Sequence, residues 1–338
     1  WRVDLPYPMV RLYKRTSITE PETICCHTNC KASIEVRHNG QASHYKPEEK
    51  ILLEAGENFV MVDLQKLSGL PCAYVEGNVF ASNESWLCAA YNRFEDDLPC
   101  GCSEYYTQIS DNPETFFFVY DRITPVTSEA INQGILFDFG KETYGPLVFE
   151  SIQTTRSDKI AIHYGESREE ALAERSIIPL TDDLDCTKKE MTFPKRAFRY
   201  IYVTDSRDIS YTISCQYEHL PIENKGAFHC ADARINRIWD VCAYTLFLNM
   251  REGFLDGIKR DGWLWSGDAY QSYMVNYYCY NDLDTVRRTI IGLRGRNAVG
   301  QNINIIPDYS MYWICSIYDY YFYTGDLEFV RKMWSKIL

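Results

Sequence analysis

The spacing of apolar residues changes near residue 230, and this change limits what the chain can fold into. Before that point, apolar and polar residues alternate over short runs such as residues 33–37 and 159–164, which is the period of a β-strand with one buried face. After it, apolar residues recur at intervals of three and four, which is the period of an amphipathic helix. We therefore expect a multidomain β + α protein whose first two thirds are sheet and whose last third is helical.

The β part separates into two groups of strand patterns. In the first group, Asn39-Gly40 follows an alternating run and is typical of a two-residue hairpin turn. The groups are separated near residues 111–113, where Asp-Asn-Pro interrupts the pattern. Short strands without long helices between them favour sandwiches, so we predict an N-terminal β-sandwich over 1–115 and a second β-sandwich over 116–225. The charge run Glu166 to Glu170 is interpreted as solvated surface.

The helical part, 226–338, contains about five predicted helices. One is expected from Asp268 through Tyr280, and the other four carry apolar stripes. The first stripe, preceded by Asp232 as a helix cap, contains Ile235, Ile238, Trp239, Cys242 and Leu246. The other three are Leu283, Val286, Ile290 and Leu293; Ile314, Ile317, Tyr318 and Tyr321; and Phe329, Val330, Met333, Trp334 and Ile337.

Composition narrows the classes of partner. The formal net charge is −12, with 47 acidic and 35 basic residues, which disfavours nucleic acid and anionic membrane surfaces because both reward basic patches. A run of about 18 apolar residues is absent from the sequence, so we expect no membrane span. Aromatic residues make up 14% of the chain, which fits carbohydrate contact.

The 13 cysteines are scattered and form neither a Cys-x-x-Cys pair nor a set with histidine at zinc spacing. We therefore predict no metal site and mostly buried free thiols. A disulfide among the N-terminal five remains open, and those five are Cys25, Cys26, Cys30, Cys100 and Cys102.

A polar loop is expected between the first two helices, at residues 256–268. Its 13 residues include three aspartates, Asp256, Asp261 and Asp268, two cations that include Arg260, and two tryptophans. Carboxylates bind sugar hydroxyls or transfer protons, a guanidinium holds a carboxylate, and the aromatic rings of Trp263 and Trp265 cover the apolar face of a sugar. We predict a sugar-binding site here; the alternative is a solvated loop with two core tryptophans.

These residues resemble the catalytic loop of glycoside hydrolase family 78, the bacterial-type α-L-rhamnosidases. The likeness lies in Asp256-Gly-Ile-Lys-Arg-Asp261 followed by Trp265-Ser-Gly-Asp268. The helix pair after the loop is similar in Ile306-Pro-Asp-Tyr309, Trp313 and Tyr320-Tyr-Phe-Tyr-Thr-Gly-Asp326. The β regions resemble the family in Phe137-Asp-Phe-Gly-Lys-Glu-Thr-Tyr-Gly145, His163-Tyr-Gly-Glu-Ser167, Gly69-Leu-Pro-Cys-Ala-Tyr-Val-Glu-Gly77 and Ser82-Asn-Glu-Ser-Trp86.

The resemblance implies two β-sandwiches followed by part of an (α/α)6 toroid. It further implies an inverting hydrolase that removes terminal α-L-rhamnosyl residues, without a metal or cofactor, by paired action of an acid and a base. The implied substrate is a rhamnoside, and the oligomeric state is left open. A periplasmic or secreted location is favoured, with a cytoplasmic location as the alternative.

Roles follow by position in the family's motif. Asp261 is the candidate acid. Asp256 is expected to hold sugar hydroxyls, and Arg260 is expected to orient the carboxylates. Trp263 and Trp265 are expected to form the wall that faces the sugar. Asp268 either contacts the sugar or caps the next helix. Asp308 and Trp313 either reach the pocket or serve as a helix cap and a core aromatic.

Two departures from the family affect these expectations. Many members carry the acidic glutamate directly after the Arg-Asp pair, where this chain has Gly262 and a loop that is one residue shorter. Either a one-residue gap brings Asp261 into the acid position, or the acid is missing and the protein is degenerate or uses a different acid. The general base belongs to a later part of the barrel, so it is expected to lie outside these 338 residues, and these residues alone are expected to be inactive. Gly262 favours the alternative function, a non-catalytic carbohydrate-binding protein with a degenerate site.

Overall fold

The computed structural model describes residues 9–65, 71, 73–83, 85–90, 118–173, 180–294 and 302–338. The chain divides into two compact units. The second unit comprises Phe118–Pro221 and Gly257–Asp261, and the first unit comprises the rest of the chain. The central part of the polar loop thus belongs to the second unit, whereas Asp256 and Gly262 belong to the first.

In the described residues up to 90, the regular elements are antiparallel strands. They are β1 (Met9–Ile18), β2 (Glu22–Thr28), β3 (Lys31–His38), β4 (Gln41–Tyr45), β5 (Lys50–Leu53), β6 (Gly56–Gln65), β7 (Ala73–Glu76) and β8 (Leu87–Ala90). One sheet has the order β4-β3-β6-β1-β8 and the other the order β5-β2-β7. Apolar side chains from both sheets, such as Ile24, Ile51, Ile34 and Val62, share one core. The expected hairpin turn is confirmed, since Asn39 and Gly40 have φ of 49° and 79°.

The described strands of the second unit form one antiparallel sheet. Its strands are β9 (Val119–Ile123), β10 (Thr127–Ile131), β11 (Gly134–Thr154), β12 (Lys159–Gly165), β13 (Thr181–Asp185), β14 (Met191–Val203) and β15 (Ile209–His219). The order is β13-β12-β14-β11-β15-β9, and β10 pairs with β11. The register of β11 against β14 shifts between Asp138 and Thr143. Side chains from both halves of β11, including Phe137 and Phe149, lie in one core, so this single sheet bends over its own core.

One short helix, α1 (Arg168–Leu172), lies in the second unit, and the other helices lie in the helical part of the chain. They are α2 (Ala233–Asn249), α3 (Ser266–Cys279), α4 (Leu283–Arg294), α5 (Pro307–Thr324) and α6 (Leu327–Ile337), with a 3₁₀ turn at Ile303–Ile305. The predicted cap is confirmed, because the Asp232 carboxylate accepts a hydrogen bond from the Arg234 N–H at the start of α2. Helix α5 contacts α3, α4 and α6.

The apolar stripes predict the helices better than they predict the buried faces. In α4, Val286 and Ile290 are fully buried, as the stripe implies. In α2, by contrast, Ile235 is 46% exposed and Ile238 is 60% exposed. The stripe assigned to α5 is displaced by one position: Ile317 is buried from that stripe, but Ile314, Tyr318 and Tyr321 are exposed, whereas Trp313 and Tyr320 are buried. An apolar stripe shows that a helix is amphipathic, but the neighbouring elements decide which side chains are covered.

The described cysteines that could have formed the N-terminal disulfide, Cys25, Cys26 and Cys30, are free thiols. Cys100 and Cys102 lie outside the described residues. Among the helices that the structure describes, none combines the length and apolar character that a membrane crossing requires.

Candidate functional site

The two ends of the polar loop are tied together by hydrogen bonds between Asp256 and Trp263. The Asp256 N–H donates to the Trp263 carbonyl at 3.1 Å, and the Trp263 N–H donates to Asp256 Oδ1 at 2.9 Å. One carboxylate oxygen of Asp256 therefore closes the loop. Substituting Asp256 would consequently disturb the loop as well as anything that the carboxylate binds.

Gly262, which directly follows the Arg260-Asp261 pair, lies in the left-handed region with φ of 61°. A Cβ built at this position would have no heavy atom within 4 Å. The backbone conformation, rather than a lack of space, therefore favours glycine here, because an L-residue is strained at this φ.

Three aromatic rings form a continuous group after this turn. Trp263 and Trp265 are stacked, with ring centroids 5.8 Å apart and an interplanar angle of 17°, and the ring of Tyr309 meets Trp265 edge-on at 6.2 Å. Trp263 is 37% exposed. The Nε1–H of Trp265 is buried and has no hydrogen-bond partner among the described residues, so the exposed ring of Trp263 is the part of this pair that a ligand can reach.

The aromatic group is held by polar contacts that join the start of α3 to Asn304, before α5, and to Tyr309, in the first turn of α5. The Ser266 hydroxyl donates to the Tyr309 carbonyl at 2.8 Å, and the Ser266 N–H donates to Asn304 Oδ1 at 3.0 Å. The Asn304 amide in turn donates to the Leu264 carbonyl at 3.0 Å. Gly267 permits the close approach of the Tyr309 ring, since a Cβ would lie 2.7 Å from Cε1 of that ring. These contacts position the rings independently of any ligand.

The remaining candidates on the helices have different surroundings. Asp268 is exposed, and the Tyr309 hydroxyl donates to its Oδ2 at 3.3 Å; the residue preceding α3 is Trp265, so Asp268 does not occupy the cap position. Asp308 is exposed in the first turn of α5, where a negative charge suits the helix dipole. Trp313 is 2% exposed and its Nε1–H donates to the Ile290 carbonyl at 2.8 Å, which favours the core role left open above.

The centre of the loop is dominated by charge. The guanidinium of Arg260 pairs with the neighbouring Asp261 carboxylate: Nε donates to Oδ1 at 2.9 Å and Nη2 donates to Oδ2 at 3.2 Å. The Lys259 ammonium contacts Glu170 and lies 3.4 Å from Glu166. Two members of the charge run that was interpreted as solvated surface are therefore ion-pair partners of the polar loop.

Glu142 in β11 was missed by sequence reasoning. Burial, together with the nearby carboxylates of Glu166 and Glu170, raises the pKa of Glu142 to about 8, although the Lys259 ammonium opposes the shift. This carboxyl therefore holds its proton near neutral pH. The available signal was an acidic residue inside a strand motif, Phe137 to Gly145, that was read only as scaffold. Tyr309 belongs to the Ile306-Pro-Asp-Tyr309 motif, but its contact with Trp265 depends on the folded structure.

Family models match both parts of the chain. The model described as alpha-rhamnosidase-like, bacteroidetes, N-terminal matches residues 10–203, which is more than half of the chain. The model of the bacterial alpha-L-rhamnosidase 6 hairpin glycosidase domain matches residues 223–338. A comparison with curated protein sequences found no match.

Solved rhamnosidases have a similar fold. The rhamnosidase from Klebsiella oxytoca with rhamnose bound is 20% identical, with a TM-score of 0.54, and the match covers 65% of this chain and 55% of that one. The α-L-rhamnosidase from Dictyoglumus thermophilum is 16% identical, with a TM-score of 0.54, and the match covers 96% of this chain and 46% of that one.

The family 78 rhamnosidase of Bacillus sp. GL1 is 16% identical, with a TM-score of 0.50, over 96% of this chain and 43% of that one. The chain thus spans about half the length of these structures. The matched models cover its β regions and its helical part, and the chain therefore belongs to the bacterial α-L-rhamnosidase family of glycoside hydrolases.

Proposed function

We propose that this chain contributes the sugar-binding face of an inverting glycoside hydrolase that cleaves terminal α-L-rhamnosyl residues from glycosides or polysaccharides. The observation that carries the proposal is the group of Trp263, Trp265 and Tyr309, whose rings are held in place by contacts of the neighbouring backbone while the Trp263 ring is 37% exposed. An exposed, fixed aromatic ring can cover the apolar face of a pyranose.

Inversion requires two carboxyl groups with opposite tasks. One protonates the departing glycosidic oxygen, and the other takes a proton from a water molecule that attacks the opposite face of the sugar, so the two stand roughly 6.5–9.5 Å apart. We assign the role of general acid to Asp261, because it directly follows Arg260 in the loop motif. We give this position more weight than the pKa of a carboxyl group, since a general acid must first be within reach of the glycosidic oxygen. Asp256 binds sugar hydroxyls, and Arg260 orients the Asp261 carboxyl.

Glu142 is the rival for the acid role. The Asp261 carboxylate accepts two parallel hydrogen bonds, from Nε and Nη2 of the Arg260 guanidinium. Glu142 instead belongs to a set of carboxyls that lets it hold a proton at neutral pH. The position of Asp261 in the loop motif favours Asp261 as the acid, whereas the raised pKa of Glu142 favours Glu142.

The base is assigned to the later part of the helical toroid, beyond these 338 residues. This assignment is supported by the chain's share of the solved rhamnosidases, about half of their length. We therefore expect the purified 338-residue chain to bind rhamnose without hydrolysing rhamnosides. Aryl α-L-rhamnoside turnover that rises in proportion to the concentration of this chain, and that persists after removal of contaminants, would contradict this expectation.

A non-catalytic carbohydrate-binding role is the second candidate, and Gly262 favours it. The test is turnover of an aryl α-L-rhamnoside by the complete protein, compared with its binding of L-rhamnose measured by titration calorimetry. An enzyme turns over the glycoside. A binder shows a saturable heat with L-rhamnose and no turnover, and the absence of both would remove the sugar proposal altogether.

A further inference from the structure

Strand β2 presents two metal-ligand side chains on one face. Cys25 and His27 are two residues apart in a strand, so their side chains lie on the same side, whereas Cys26 between them is buried in the core of the two N-terminal sheets. Cys25 is paired in register with Glu76 of β7 and with Lys50 of β5. The ring of His27 is stacked on Tyr74 of β7, with centroids 6.1 Å apart.

Glu48 brings a carboxylate to the same face from the turn before β5. Its backbone has φ of 69°, in the left-handed region, and its N–H donates to the Cys26 carbonyl at 3.0 Å. The turn is thereby attached to β2 between the two ligand residues. As a result, Glu48 Oε2 lies 2.8 Å from Nδ1 of His27.

The geometry is close to that of a first coordination shell. One ligand atom from each of Cys25, His27 and Glu48 lies within 4.8 Å of the others. Tetrahedral zinc, with bonds of roughly 2.0–2.3 Å, needs its ligand atoms roughly 3.3–3.8 Å apart, so side-chain movements of about 1 Å close the set. The second ring nitrogen of His27, Nε2, is buried and lies 3.4 Å from Glu76 Oε1.

We propose that Cys25, His27 and Glu48 bind a divalent transition-metal cation of the Zn²⁺ type, with Glu76 orienting His27. Thiolate, imidazole and carboxylate together are a set that zinc accepts in four-coordinate sites, and water completes the shell. His27 binds the cation through Nδ1 and donates its Nε2–H to Glu76, which is the usual outer partner of a ligating histidine. On binding, the Cys25 thiol releases its proton to solvent and the thiolate sulfur forms the bond to the metal.

The electrostatics of this cluster agree with a cation. Glu48 and Glu76 bring two carboxylates to the two nitrogens of the His27 ring, and Lys50 is the cation paired in register with Cys25. The two carboxylates attract a cation. The cluster uses no residue of the polar loop and is independent of the sugar-binding proposal.

The test uses the reduced 338-residue chain, stripped with a chelator and titrated with ZnCl₂ in a calorimeter and with Co²⁺ in an absorption cell. Cobalt bound to a thiolate gives a charge-transfer band in the near ultraviolet, so the band reports Cys25. Wild type should bind one more equivalent of metal than Cys25→Ser, and the Cys25→Ser spectrum should lack this band. Glu76→Gln should keep the stoichiometry but weaken binding by roughly 10–100-fold.

Glu48→Gln keeps the test valid if Cys25→Ser fails to fold, because its side chain is 63% exposed; it should lower the affinity by at least about tenfold. The matched controls are Glu49→Gln, which makes the same charge change one residue away, and Cys30→Ser, which removes a neighbouring thiol. Both should bind like wild type. Equal stoichiometry and an unchanged band in wild type and Cys25→Ser, or no saturable binding by wild type, would overturn the proposal and leave only a surface ion pair between His27 and Glu48.

Discussion

The end and the centre of the polar loop are built on different physical principles. At the end, Trp263 and Trp265 are stacked and a single carboxylate oxygen of Asp256 closes the turn. At the centre, Lys259 lies among glutamates and Arg260 pairs with Asp261. Stacked rings recognise a shape, whereas clustered charges decide which carboxyl keeps a proton. One loop therefore contains an aromatic part, for which we propose sugar recognition, and a charged part, for which we propose proton transfer, and the two proposals can be tested by separate substitutions.

The largest expected effect concerns the proton that Asp261, at the centre of the polar loop, is proposed to donate to the glycosidic oxygen. In the complete protein, Asp261→Asn should slow hydrolysis of rhamnosides with poor leaving groups by roughly 10²–10⁴-fold. Activated aryl rhamnosides should be spared, because their leaving groups need little protonation. Steady-state rates on a series of leaving groups check this, with Asp256→Asn expected to harm all members alike. Leaving-group dependence in Glu142→Gln, together with uniform loss in Asp261→Asn, would transfer the acid role to Glu142.

The next effect concerns stability and pH. The pKa of Glu142 is about 8 in the folded chain, above its value of about 4.3 in an unfolded chain. Between these values the folded state holds a proton that the unfolded state has lost, so stability falls as pH rises from about 4.5 to about 8. Glu142→Gln should remove this dependence, so that the variant gains roughly 4 kcal/mol over wild type between pH 5 and pH 9.

Urea unfolding of both proteins across this pH range measures the difference. Lys141→Gln, a charge change at the exposed neighbouring position, is the control for net charge. If the difference in the free energy of unfolding between Glu142→Gln and wild type is the same at all pH values, Glu142 does not hold its proton, and it is no longer a candidate for the acid.

The recognition end should respond to loss of a ring rather than to pH. Trp265→Ala removes the stacking partner that holds the exposed Trp263 ring in place, so affinity for L-rhamnose should fall by about tenfold, corresponding to about 1.4 kcal/mol. Calorimetric titration of the chain measures it. Trp334→Ala, at a tryptophan of α6 that is 53% exposed, should leave affinity unchanged, and an equal loss in both variants would indicate a general effect on folding instead.

The smallest effect tests the turn that joins the two parts of the loop. Gly262→Ala forces a Cβ onto a backbone with φ of 61°, and should destabilise the chain by about 1 kcal/mol. Gly257→Ala is the matched control, because a Cβ there also meets open space but its φ lies outside the left-handed range. Equal midpoints in thermal unfolding of the two variants would mean that the left-handed turn does not constrain position 262.

Much of the fold was accessible from local patterns. The change of period near residue 230 is confirmed, since the last described strand ends at His219 and α2 begins at Ala233. The Asn39-Gly40 turn and the Asp232 cap are confirmed too, because both depend on the conformation of a few consecutive residues. The family was accessible from the loop motif, whereas the toroid, the domain limits and the catalytic roles remain predictions.

The buried faces of α2 and α5 could not be predicted in the same way. Ile238 lies in a regular apolar stripe but is exposed, and Trp313 is buried although it lies one position before the stripe assigned to α5. Burial is a property of the neighbouring elements, and a helical period contains no information about where those elements pack.

The sequence by itself determined the order of strands and helices, the position of the aromatic pair Trp263 and Trp265, and the family to which the chain belongs, because each depends on residues that are close along the chain. Only the tertiary structure decided that Glu142 shares an environment with Glu166, Glu170 and Lys259, and that Glu48 meets the Cys25–His27 face of β2. Such groupings join residues that are distant in sequence, and the pKa of a carboxyl or the affinity of a ligand set depends on distances and burial that arise only when the chain is folded.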